Sequence, residues 1–92
     1  MLIRRSVTYK EKVRLLLKPY ISRKDIQIIL DSTFREADML LNKALIYMKN
    51  NGYNILSMYK IPTKLFMELT SITIEEFIEK AEIERRLNNG DN

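Results

Sequence analysis

Residues 21–51, ISRKDIQIILDSTFREADMLLNKALIYMKNN, decide how this chain folds. Two helical patterns follow one another there, with only Asp31, Ser32 and Thr33 between them. Each start carries its own capping chemistry. Ser22 can serve as N-cap with Asp25 three residues on, and Ile21 and Ile26 flank it at the spacing of a hydrophobic staple. Thr33 and Glu36 form the capping-box pattern Thr-x-x-Glu. A helix of about two turns, a short polar link and a longer helix make the outline of a helix-turn-helix. Helical hairpins in bundles begin from the same signals.

Within the longer helix, 34–50, residues placed at 100° steps separate into two sides. Phe34, Ala37, Leu40, Leu41, Ala44, Leu45 and Met48 form one broad apolar face, the expected core side. Arg35, Met39, Asn42, Lys43, Ile46 and Asn50 cluster opposite, with Glu36 and Lys49 at the margins. Arginine and asparagine on a presented helix are the side chains that pair with guanine and adenine edges. Met39 and Ile46 could touch thymine methyls, pack under a wing or form a dimer contact. The plainer alternative is a solvated polar face with two stray apolar residues. In the shorter helix, Ile26, Ile29 and Leu30 are the apolar set. Arg23 and Lys24 occupy its first turn against the helix macrodipole, a placement that an approaching phosphate would relieve.

Working outward, Met1–Val7 lacks helical periodicity. Its Arg4 and Arg5 are either part of a frayed terminus or a basic arm for the minor groove. Thr8 with Glu11 opens a helix that ends before Pro19, with Tyr9, Val13, Leu16 and Leu17 as its apolar set. Lys10, Lys12, Arg14 and Lys18 occupy the rest of that helix's surface. Beyond the long helix, Asn50-Asn51-Gly52 supplies a C-terminal stop. The stretch 53–61, YNILSMYKI, is rich in strand formers. It could be a small hairpin turning near Leu56-Ser57, hence a wing with Asn54, Ser57, Tyr59 and Lys60 outward, or an ordinary connector. Pro62 and Thr63 start a short helix with Leu65, Phe66 and Leu69 inward and Lys64 and Glu68 at pairing distance along it. Thr73 and Glu76 cap a last helix, about 74–88, with the stripe Ile74, Phe77, Ile78 and Ala81. Glu75, Glu76, Glu79, Glu82 and Glu84 cover the remainder, and Arg85 and Arg86 suit its last turn. No internal repeat or linker is visible. The expectation is one domain over 1–92, with a core of about 8–72 and a C-terminal acidic amphipathic helix. Its class is mainly α: a helix-turn-helix core of about five helices, with a small β-hairpin wing as an option.

Composition narrows the chemistry. The 92 residues include neither cysteine nor histidine, and only Gly52 and Gly90 as glycines. Disulfides, thiolate zinc sites, the usual general base and a Gly-rich phosphate loop are therefore not expected, so neither an enzyme nor a cofactor is. No apolar run reaches the length of a membrane span and the N-terminus lacks a signal-peptide core, so the expected place is the cytoplasm. The net charge of +4 conceals a division: residues 1–64 hold 13 Lys or Arg against 5 acids, and residues 65–92 hold 3 against 7. A basic body attracts a polyanion, and the acidic end points away from it or towards a basic protein.

With those residues in place, the stretch 21–72 resembles the excisionase-like, winged helix-turn-helix proteins of phages and integrative elements of Gram-positive bacteria. The matching features are Ser22-Arg23-Lys24-Asp25-Ile26, Ala37, Lys43-Ala44, Met48, Gly52-Tyr53 and Ile61-Pro62. The resemblance implies a recognition helix in the major groove, a wing at the adjacent minor groove, and an architectural or regulatory role beside an integrase. The segment ILSMYK departs from it, with one basic residue and no glycine turn. So does the long acidic C-terminal helix.

The resulting expectation is a sequence-selective double-stranded-DNA-binding protein. Its contacts would come from Arg23, Lys24, Arg35, Met39, Asn42, Lys43, Ile46, Lys49, Asn50, Asn54, Tyr59 and Lys60. A homodimer, or an integrase or other protein held by the acidic helix, are further partners to consider. The competing expectation is a phage-encoded interaction module, an inhibitor or adaptor working through that helix.

Overall fold

Thr8 takes an extended backbone and its hydroxyl accepts the Glu11 amide, and the chain coils from there into α1 (Tyr9–Leu16). The computed structural model describes residues 8–90; the Arg4–Arg5 arm lies outside the described residues. After α1 come β1 (Tyr20–Ser22), α2 (Arg23–Leu30) and α3 (Phe34–Asn50). Then follow β2 (Lys60–Pro62), α4 (Thr63–Thr70) and α5 (Ile74–Gly90). The protein is mainly helical, with a small antiparallel two-stranded sheet. No helix among the described residues is long and apolar enough to cross a membrane.

Both capping boxes of the central hairpin form. Ser22 and Asp25 exchange side-chain-to-backbone hydrogen bonds, as do Thr33 and Glu36. Between the helices Asp31 adopts the left-handed conformation (φ 52°, ψ 38°), which a short polar side chain tolerates better than most. The Asp31 and Ser32 amides both donate to the Gln27 carbonyl, which closes α2 and turns the chain into α3.

The sheet is not a hairpin inside 53–61. Residues 53–59 contain no strand and form a connector, and β2 instead pairs with the strand that precedes α2. The connector has no Gly or Asn-Gly pair for a tight hairpin turn. The long-range pairing, by contrast, sets Ile21 opposite Ile61, with both side chains fully buried. Around them the core gathers Leu16, Ile26, Ile29, Leu41, Leu45, Met48, Leu65, Phe66 and Phe77.

An internal repeat is present after all. Residues 18–50 and 58–90 pass through the same succession of bend, strand, eight-residue helix, three-residue turn and seventeen-residue helix, forty positions apart. Ser71 repeats the left-handed turn of Asp31, and Thr73 caps Glu76 as Thr33 caps Glu36. Because Ile21 and Ile61 are equivalent residues facing each other across antiparallel strands, a local two-fold axis passes through the ribbon. Only Ile21/Ile61, Lys24/Lys64, Thr33/Thr73 and Glu36/Glu76 are identical between the copies. That is too few to stand out in the sequence.

The two hairpins close differently. In the first, α2 and α3 pack closely, and the Arg23 guanidinium lies 4.1 Å above the Phe34 ring centroid and 3.0 Å from Asp38. The equivalents in the second are Thr63, Ile74 and Ile78, which cannot make that clasp. Thr63 turns the other way: it is buried, and its hydroxyl donates to the Lys18 carbonyl. α5 leans on α1 instead of α4, with the Tyr9 and Phe77 rings edge-on at 5.2 Å and the Tyr9 amide donating to Glu84 at 2.8 Å.

Several side chains differ from the sequence expectation for these reasons. Lys12 is 2 % exposed rather than solvated, because α1 carries it under Asp31 at 2.6 Å and over the Tyr9 ring. Leu17, beyond the last turn of α1, is exposed. Phe34 is exposed under its Arg23 lid, and Ile78 turns outward once Phe77 faces α1. Leu30 and Leu69 are only partly covered, and Lys64 and Glu68 form no ion pair among the described residues.

Candidate nucleic-acid interface

The geometry of α3 follows from its sequence spacing. Ala37, Leu41, Ala44, Leu45 and Met48 turn inward, leaving Arg35, Met39, Asn42, Lys43, Ile46, Lys49 and Asn50 on solvent-exposed positions. Seventeen residues at about 1.5 Å each make a helix of roughly 25 Å, long enough to lie along a groove. Met39 is 66 % and Ile46 60 % exposed, so no described residue covers either of them. Arg35, Lys43 and Lys49 have no carboxylate partner among the described residues.

Two residues of the expected set are held within the protein. Arg23 is the clasp of the first hairpin, so Asp38 and the Phe34 ring already satisfy the charge that its place in α2 left unexplained. Asn42 donates to the other Asp38 oxygen at 3.4 Å, a long contact that a base edge can displace. Asp38 is therefore neutralised by Arg23 and does not weaken the field of the α3 face as it would alone. Glu36 is the capping carboxylate. The Thr33 amide and hydroxyl hold its carboxyl below the ordinary value.

The remaining expected contacts do not join the α3 face in one element. Lys24 is exposed on α2, Asn54 and Tyr59 are exposed in the connector, and Lys60 is exposed in β2. The Tyr59 amide donates to Ser57, which shapes the end of the connector without building a wing. Lys18 pairs with Asp25 at 2.9 Å. Burial pushes the Asp25 carboxyl up, but the Lys18 and Ser22 hydrogen bonds outweigh it and hold the group below its ordinary value.

Sequence reasoning missed the ribbon. Its outer side displays Tyr20 and Lys60, and the exposed Lys24 and Lys64 sit at equivalent places in the helices that leave it. The sequence marks it only by Ile21 and Ile61, each two residues ahead of a helix, which does not reveal that the two segments pair. Exposed Leu56, Met58 and Tyr59 make the connector more apolar on its surface than a polar link would be. No known protein family, curated protein or solved structure matches the chain.

Proposed function

We propose that this chain is a sequence-selective DNA-binding protein of the excisionase-like kind, serving a phage or mobile element as an architectural or regulatory factor. In this reading α3 is the helix that enters the major groove. One observation carries it: after a three-residue turn, α3 offers Arg35, Asn42 and Lys43 on an uncovered face with Lys49 beside them. Those are the side-chain types that recognise base edges and phosphates. Lys24, exposed in the first turn of α2, adds a phosphate contact. The connector 53–59 contributes less than a wing would. A module of this size buries roughly 600–1,000 Å² on DNA, so useful occupancy comes from adjacent copies on repeated sites.

Selection from random duplexes, followed by titration across a salt series, tests this. With about four to six phosphates neutralised, the logarithm of affinity falls with log salt at a slope near −0.9 per contact. Arg35→Ala relaxes sequence preference by about 1–3 kcal/mol at one base position, whereas Lys24→Ala weakens all sequences alike. Absence of duplex binding at low salt overturns the proposal.

A second reading, an interaction module that inhibits or adapts another protein, draws on exposed Ile78, Ile83 and Leu87 among the glutamates of α5. Recovery of one stoichiometric protein partner without any duplex binding would select it.

A further inference from the structure

The internal repeat gives α3 a counterpart. Residue by residue, Arg35, Met39 and Asn42 on the outer face of α3 correspond to Glu75, Glu79 and Glu82 on α5. All six are exposed. On α5 this face is turned away from the side that Phe77 and Glu84 apply to α1. Arg35 is the one charged residue among the three on α3, with Lys43 and Lys49 as further exposed cations of that helix, whereas all three on α5 are glutamates. Exposed apolar side chains lie on or beside these faces: Met39 and Ile46 on α3, and Ile83 at the edge of the α5 face, where Arg86 stands at the position equivalent to Ile46. Among the described residues, Glu82 alone of the three glutamates pairs with cations, Arg85 at 3.5 Å and Arg86 at 3.7 Å, both on exposed side chains where such pairs hold weakly.

We infer that the α3 face docks the acidic face of α5 from a second copy of this chain. The contact is head-to-tail, since it joins two different surfaces of one molecule. Its ionic component pairs Arg35 and Lys43 with Glu75, Glu79 and Glu82, while Met39 and Ile46 meet Ile83 at the edge of that face. A single helix face on each side buries less than about 1,200 Å², which is the size of a transient association rather than an obligate one. The ionic share is screened by salt over a distance of about 10 Å at 0.1 M. Where α3 also reads DNA, a consequence that rests on the proposed function, the second copy's α5 shields the reading face until duplex displaces it.

Sedimentation of the full chain without DNA tests the contact, at low salt and in the high-micromolar range. The unaltered chain self-associates, and the association constant falls about tenfold or more when either face is reversed, by Arg35→Glu with Lys43→Glu or by Glu79→Lys with Glu82→Lys. Mixing the two reversed chains restores association, with the two chains in equal numbers, because each still supplies the face the other lacks. A chain carrying both reversals associates with itself again. All these positions are exposed, so folding is preserved, which circular dichroism and the thermal midpoint verify. A monomeric unaltered chain overturns the inference, as do reversed chains that associate like the original or a mixture that stays monomeric. No duplex is present in any of these measurements, so their outcome does not depend on whether the chain binds DNA.

Discussion

At Lys12 the environment reverses what residue type suggests. The ammonium is almost wholly removed from water, with Asp31 as its carboxylate partner and the Tyr9 ring beside it. Asp31, by contrast, remains half in solvent. Taking away one member of such a pair costs most where the survivor stays buried. Asp31→Asn keeps the left-handed turn but strands the lysine, and destabilises by about 1–3 kcal/mol in urea unfolding. Lys12→Met leaves only a carboxylate that water can solvate and costs under about 1 kcal/mol. The opposite ranking would show that the turn, not the charge, is what Asp31 supplies. Asp25 gives a pH signature. Its folded carboxyl lies below the ordinary value, so its contribution is complete above the ordinary carboxylate range and disappears as pH falls through the lower folded value. The urea midpoint of Asp25→Asn is therefore lower than that of the parent at neutral pH, and the two converge in acid.

Among the elements, the end of α3 shows how backbone conformation is set locally. Gly52 has φ 73°, the Gly52 amide reaches Lys49 at 3.5 Å and the Tyr53 amide donates to Met48 at 2.9 Å, which together close the helix in a Schellman arrangement. A methyl group at Gly52 would meet nothing within 4 Å, so Gly52→Ala carries only the cost of the left-handed backbone. That cost is about 1 kcal/mol, read as a lower thermal midpoint with an unchanged helical spectrum. The first hairpin is tied by Arg23, Phe34 and Asp38, and the second, without those residues, leaves an open apolar groove beside Met67, Ile72 and Ile74. Identical turns thus lead to different packing. The helices' own caps determine where they start, but side chains at the elbow determine how they meet.

For the molecule as a whole, the ribbon joins the two copies of the repeat. Ile21 and Ile61 share one buried spot on the local two-fold axis. Each alanine substitution there costs about 2–5 kcal/mol. Because the side chains are opposed, the double variant loses less than the total of the two, by about 0.5–3 kcal/mol. Additive losses would mean that the strands do not depend on each other. Further support comes from α1, whose first turn is bound to Glu84 and Phe77 of α5 and whose Lys12 reaches the turn of the first hairpin. The N-terminal helix is in this way the strut between the halves.

What the amino-acid order determined by itself is local. Thr8, Ser22, Thr33 and Thr73 mark helix starts through hydrogen bonds that span three residues, and Asn51-Gly52 closes α3 for the same short-range reason. The apolar spacing of 34–50 likewise fixed which side of α3 is wet, and with it most of the candidate interface. Tertiary structure alone decided the rest. The pairing of β1 with β2, the burial of Lys12, the Arg23 clasp and the seating of α5 on α1 all join residues far apart in the chain. Their free energy comes from partners that a local pattern does not contain. For that reason the repeat, a symmetry of backbone and burial carried by very few identical residues, became visible only in three dimensions.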